Sequence, residues 1–115
     1  MRDDNLTLVE LMFHAEQFCA RIESVIADCA PASVPEDDEE LRLKIGACRN
    51  ILALLQADLD EDELRIENVS VRINFRYLVI CLLWVAFRAR RVMNRQLFRR
   101  LVIIEAGFTN LLVNR

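Results

Sequence analysis

The chain has 115 residues, a length typical of a single domain. Apolar residues make up 54% of it, charged residues 29%, and the formal net charge is −3, a combination that excludes an intrinsically disordered chain. Only two glycines and two prolines occur, too few for the turns of a β-sandwich or barrel, so we expect one helical domain over residues 1–115.

The N-terminal quarter of the chain has the period of an amphipathic helix. Apolar residues recur there at spacings of three and four: Leu8, Leu11, Ala15, Phe18, Ile22 and Val25. Thr7 and Glu10 match a capping box, with Asp4 or Asn5 as an alternative, earlier cap. We therefore expect a first helix that begins in this region and ends near Cys29.

Both prolines lie in the segment Ala30–Pro35, which we interpret as a linker, because the residue before a proline is disfavoured in helical conformations. Ser33 and Glu36 then match a second capping box. Apolar residues recur beyond it with helical spacing: Leu41, Ile45, Cys48, Leu52, Leu55 and Leu59. The second helix should run to about Leu59, with Gly46 inside it either for close helix packing or as a bend.

The segment after the acidic stretch Asp58–Glu63 fits either a strand or a helix. Leu64–Val79 alternates apolar and polar residues, as a half-buried strand does. Helical spacing also connects a row of apolar residues: Ile66, Val69, Ile73, Tyr77, Ile80, Trp84 and Phe87. Because the sequence offers no second alternating strand to pair with, we expect a helix from Asn68 or Ser70 to about Met93.

The longest uninterrupted apolar run, Tyr77–Phe87, lies in the middle of this third helix. It is about half of the roughly 20 residues that a membrane-spanning helix needs, so we expect no membrane span. Two helices also carry a second apolar stripe, which indicates more apolar side chains than one small core can bury. These stripes are Met12, Cys19 and Ile26 in the first helix and Phe75, Leu78, Leu82 and Val85 in the third.

Asn94 is suited to cap a last helix. Beyond it, apolar residues recur at helical spacing to about Val113: Leu97, Leu101, Ile104, Phe108 and Leu111. Together the segments predict an all-α protein, a compact antiparallel bundle of about four helices with the apolar third helix at its centre.

Charge divides between the two parts of the chain. Residues 1–67 hold 17 acids and six bases, a formal charge of −11, whereas residues 68–115 hold nine arginines and one acid, a formal charge of +8. Six arginines crowd the junction of the third and fourth helices and are named here the arginine cluster: Arg88, Arg90, Arg91, Arg95, Arg99 and Arg100.

Three interpretations of the arginine cluster are open. The acidic stretches Glu36–Glu40 and Asp58–Glu63 could neutralise it within the folded chain. It could instead bind phosphate groups or an acidic partner, and nucleic acid is the most specific form of this interpretation. The negative net charge and the expected lack of surface aromatics disfavour nucleic acid. Finally, the opposite charges could meet between two copies of the chain.

No catalytic, cofactor-binding or metal-binding motif is recognisable. His14 is the only histidine and has Glu10 on its own helix face, whereas Cys19 is turned about 140° around the axis and cannot face it. A glycine-rich phosphate loop is impossible with glycine only at Gly46 and Gly107. We expect neither an enzyme nor a bound cofactor or metal.

The cysteines are predicted to be reduced thiols in the core. Their separations of 10, 19 and 33 residues include no Cys-x-x-Cys pair, which weakens a zinc-site interpretation. Each lies beside an apolar residue: Cys19, Cys29, Cys48 and Cys81. Reduced thiols, together with acids where a secretory signal would be basic, predict an intracellular protein of the cytoplasm or nucleus.

The leading functional prediction is a non-catalytic adaptor or regulatory module that homodimerises or docks on a protein partner. Exposed apolar helix faces would provide affinity, and the segregated charge would orient the partners. The alternative is a nucleic-acid-binding regulator that uses the arginine cluster.

Overall fold

The computed structural model describes residues 6–29 and 35–114, with side chains described at residues 6–28 and 39–114. These residues form four α-helices and no strand: α1 (Leu8–Cys29), α2 (Pro35–Asp60), α3 (Val69–Arg88) and α4 (Arg95–Val113). The predicted all-α bundle of four helices is confirmed, and the helical interpretation of the third segment holds over the strand.

The helices form an antiparallel bundle in which α2 packs mainly on α3 and α1 mainly on α4. Glu40, near the start of α2, pairs with Arg88 at the end of α3. Leu11, near the start of α1, lies against Gly107 toward the end of α4. The start of each helix therefore lies near the end of its main packing partner.

Side-chain caps mark three of the helix starts. Thr7 and Glu10 form the predicted capping box, because the Thr7 backbone N–H donates to Glu10 Oε1 (3.0 Å) and the Glu10 N–H donates to Thr7 Oγ1 (3.2 Å). Asn68 caps α3 and Asn94 caps α4, each accepting a backbone N–H with its side-chain oxygen. The other predicted caps lie outside the described residues: Asp4, Asn5 and Ser33.

The third helix is shorter than predicted. It ends at Arg88 rather than near Met93, and Ala89 is its C-cap. The next residues turn more tightly, with the Val92 N–H donating to the Ala89 carbonyl and the Met93 N–H to that of Arg90. This turn brings the chain to the extended backbone at Asn94 that caps α4.

The core is one cluster of buried side chains drawn from all four helices. On α1 both apolar stripes face the core, including Met12, Cys19 and Ile26, and only Val25 at the end of the first stripe is half-buried. On α3 the stripe that was expected to be surplus is the one that faces the core: Phe75, Leu78, Leu82 and Val85. Phe75 stacks on Phe108 of α4 with 4.9 Å between the ring centroids. The other apolar row, from which the helix was predicted and which includes Ile73 and Tyr77, mostly faces outward.

The two glycines differ in their surroundings. A Cβ atom at Gly107 would lie 2.6 Å from Cδ2 of the buried Leu11, so the glycine allows α1 and α4 to approach closely. A Cβ atom at Gly46 would have nothing within 4 Å. Close helix packing is therefore not the reason for Gly46.

Candidate interaction surfaces

Six large apolar side chains form one exposed stripe along α3, named here the outer face of α3. Their exposed fractions run from 40% at Leu83 to 66% at Phe87, and the other members are Val69, Ile73, Tyr77 and Ile80. The spacings of three and four place all six on one side of the helix. Because Phe75, Leu78, Leu82 and Val85 fill the opposite side, α3 is apolar on both faces.

Trp84 lies at the border between the outer face of α3 and α2. The ammonium of Lys44, on α2, lies 5.1 Å from the centroid of its ring, and the guanidinium carbon of Arg88 lies 5.3 Å from it. Both distances are within the range of cation–π attraction. Two cations thus flank the indole where α2 meets α3.

The outer face of α3 has opposite charge at its two ends. The turn before it exposes four acids and one base, Glu61, Asp62, Glu63, Glu67 and Arg65, and the connection after it exposes Arg90 and Arg91. The 20 residues of α3 separate these ends by about 30 Å. The acidic stretch Asp58–Glu63 therefore lies at the far end of the bundle from the arginine cluster and does not neutralise it.

The arginine cluster divides into members with different contacts. Arg88 Nη2 lies 2.6 Å from Glu40 Oε2, and Arg90 donates to the Phe87 carbonyl oxygen and lies over the Phe87 ring. The side chains of Arg91, Arg95 and Arg99 are exposed. Among the described acids, none but Glu40 lies within ion-pair distance of any of the six arginines. Neutralisation within the described chain is thus limited to Arg88.

A basic groove, missed by the sequence prediction, lies between α1 and α4. It consists of two adjoining hollows of about 270 and 310 Å³ that share Gln96 and Arg100. Three arginines line it, of which Arg21 comes from the acidic part of the chain. The side chains that line it and carry polar groups are His14, Gln17, Arg21, Gln96, Arg99 and Arg100. No sequence signal links them, because the groove depends on the register of α1 against α4.

His14 faces α4 rather than any thiol. Arg100 Nη1 lies 2.9 Å from His14 Nδ1. Glu10, the acid on the same helix face as His14, accepts hydrogen bonds from Thr7. Glu105, the one acid of residues 68–115, is exposed and forms no ion pair with a described base.

Three thiols lie in a row across α1, α2 and α3. Cys19 and Cys48 are buried free thiols, whereas the free thiol Cys81 is half-buried. The side chain of Cys29 is not among the side chains that the structure describes. The hydrogen bond between the two buried thiols lowers the pKa of Cys19 and, together with burial, raises the pKa of Cys48. Cys48 also contacts Cys81. Over residues 6–28 and 39–114, no group of His, Cys, Asp and Glu side chains is arranged to hold a metal ion.

One helix of the described chain, α3, is long and apolar enough to cross a membrane by the criteria of length and composition alone. Core helices of bundles meet the same criteria, and one side of α3 is filled by buried residues such as Phe75 and Leu78. The absence of a membrane span stays a prediction.

The surfaces described above are the basis for a functional inference, since comparisons with protein-family models, curated proteins and solved structures found no match to this chain.

Proposed function

We propose that the protein is a non-catalytic association module that binds a second copy of itself through the outer face of α3. The observation that supports this is the row of six apolar side chains, each 40–66% exposed, on one side of one helix. Isolated exposed apolar residues are normal on protein surfaces, but six of them along one side of one helix, with the exposed Arg76 among them, are typical of a binding surface.

The area of the outer face of α3 suits a small interface. Its six side chains each expose on the order of 100 Å², so that two copies together would bury about 1,200 Å², the lower limit of specific interfaces. Tyr77 and Phe87 are the most exposed of the six, at 60% and 66%. Aromatic side chains of this kind are typical of residues that dominate binding energy.

The charges at the two ends of the outer face favour an antiparallel pair of α3 helices. A two-fold axis near Tyr77 and Ile80 would bring the acidic turn 61–67 of one copy to Arg90 and Arg91 of the other, twice in each dimer. A parallel pair would place like charges together at both ends, which is unfavourable.

Sedimentation equilibrium tests the association directly. We expect a reversible dimer that becomes weaker with added salt, because salt screens the paired end charges. Ile80→Glu places a charge in the middle of the outer face and should give a monomer. Leu54→Glu on α2 is the matched control, since Leu54 and Ile80 are each 55% exposed, and it should leave the dimer intact. A wild-type chain that is monomeric at all concentrations would overturn the proposal.

Charge exchange tests the antiparallel geometry. Changing Glu61, Glu63 and Glu67 to Lys should weaken the dimer, as should changing Arg90 and Arg91 to Glu. A mixture of the two variants should associate more strongly than either variant alone. An antiparallel pair requires the wild-type dimer to tighten at low salt, whereas a parallel pair would loosen under the same conditions.

A second candidate function is nucleic-acid binding through the arginine cluster. It is supported by the exposed side chains of Arg91, Arg95 and Arg99, which have no described acid within ion-pair distance. Binding should fall steeply with salt, since arginines that contact phosphates release condensed counterions. Changing Arg88, Arg91 and Arg95 to Ala should abolish a mobility shift with RNA or DNA, and no shift of the wild type at about 50 mM salt removes this candidate.

A further inference from the structure

The basic groove between α1 and α4 has an excess of positive charge that the described part of the chain does not balance. Arg21, Arg99 and Arg100 line it together with His14. No described acid lines either hollow or lies within ion-pair distance of these arginines. Three guanidinium groups around one groove raise the local positive potential, which attracts an anion.

Arg100 occupies the centre of the basic groove, since it lines both hollows. Its side chain is half-buried, and one of its N–H groups is directed at His14 Nδ1 at 2.9 Å. A guanidinium has five N–H donors, and one that is held in place loses less conformational freedom when it binds a ligand. The contact with His14 therefore restricts the movement of the Arg100 guanidinium.

Gln96 adds a neutral donor at the same place. It lines both hollows and lies in the first turn of α4, where the helix dipole gives the backbone a partial positive charge. A carboxamide supplies two N–H groups that a phosphate oxygen accepts. The groove thus combines charged and neutral donors and no described carboxylate.

We propose that the basic groove binds a phosphate group in the dianionic form, with Arg100 at its centre, Arg21 and Arg99 on its two sides and Gln96 as a further donor. Arginine is suited to this role because its planar guanidinium makes paired hydrogen bonds to phosphate oxygens. The volume of each hollow lies near the lower limit of small-molecule sites, which fits a phosphate with a small organic group. The groove shares no residue with the outer face of α3, so the site is independent of self-association.

Calorimetric titration with inorganic phosphate and with glycerol 3-phosphate, at constant ionic strength, tests the site. We expect saturable binding that sulfate competes for and chloride does not. Tighter binding of glycerol 3-phosphate would identify a phosphorylated small molecule as the ligand, and equal binding would identify free phosphate. No saturation with either anion at about 10 mM overturns the proposal.

Variants locate the binding. Arg21→Gln and Arg100→Gln should each weaken phosphate binding about tenfold or more. The matched control is Arg42→Gln, an exposed arginine of α2 outside the groove, which should leave binding unchanged. If Arg100→Gln does not fold, Arg99→Gln serves in its place. A loss with Arg42→Gln equal to that with Arg21→Gln would mean attraction to general positive charge and would exclude a site in the groove.

Discussion

Replacing Gly46 and replacing Gly107 should have opposite effects on stability, because the space around the two Cα atoms differs. We expect Gly46→Ala to raise the free energy of unfolding by about 0.5–1 kcal/mol, since alanine favours the helix and the methyl group meets nothing. Gly107→Ala should lower it by about 1 kcal/mol, because the clash with buried Leu11 exceeds the same helical gain. Urea unfolding of the two variants measures both changes, and equal signs would contradict this interpretation.

Thiol reactivity should follow burial. Cys81 is half-buried, whereas Cys19 and Cys48 are 1% and 0% exposed. The hydrogen bond with Cys19 and burial also raise the pKa of Cys48, which lowers the reactivity of its thiol. We expect iodoacetamide to label Cys81 in the folded protein well before Cys19 or Cys48, as measured by mass spectrometry of peptides. Early labelling of Cys48 would mean that α2 opens away from α1 and α3.

Residue-level features could be predicted from the sequence where they are local. The capping box of Thr7 and Glu10 and the cap Asn94 depend on residues three positions apart, and the pattern shows them directly. The contact between His14 and Arg100 joins residues 86 positions apart. It depends on how two helices are aligned, which no spacing along the chain encodes.

At the scale of helices, α3 shows why an apolar pattern identifies a helix without identifying its inner side. The row that includes Ile73, Tyr77 and Phe87 and the row that includes Phe75 and Leu82 both have helical spacing. Either row could face the core, and only the packing against α2 and α4 selects the second. The sequence indicated surplus apolar surface on both α1 and α3. The α1 stripe is buried, and on α3 the exposed row lies on the opposite side of the helix from the one expected.

Substitutions on the two sides of α3 should differ in their effect on stability. Phe75→Ala removes a fully buried ring that stacks on Phe108 and should lower the free energy of unfolding by about 3–5 kcal/mol. Ile73→Ala, at a side chain that is 52% exposed, should change it by less than about 1 kcal/mol in dilute solution. Chemical unfolding at low protein concentration measures the difference. Similar losses for both variants would show that the outer side is covered within one chain.

At the scale of the whole molecule, the sequence shows that the two parts of the chain carry opposite charge. It does not show which acids lie near which bases. Along the chain, neither acidic stretch is next to the arginine cluster, so the sequence does not show whether Glu36–Glu40 or Asp58–Glu63 lies near it in the fold. The antiparallel packing of α2 on α3 brings Glu40 to Arg88 and carries Asp58–Glu63 to the other end. Topology, which composition does not contain, decides which acids neutralise which bases.

Self-association would link stability to concentration. If dimers bury the outer face of α3, mass action favours the folded chain as its concentration rises, so the Tm should increase with protein concentration. Ile80→Glu should remove this dependence, whereas Leu54→Glu should keep it. Differential scanning calorimetry over a hundredfold range of concentration measures it, and a constant Tm for the wild type would contradict self-association through folded chains.

The packing of α1 on α4 also determines the order in which folding can finish during synthesis. Of the four helices, α1 leaves the ribosome first, but the helix on which it mainly packs is made last. Neighbours in sequence such as α2 and α3 can pair while translation continues, because their contacts close only a short loop. The apolar residues of α1 therefore lack their main packing partner until α4 has been synthesised. Nascent chains that stop before Arg95 would expose these residues to chaperones and proteases.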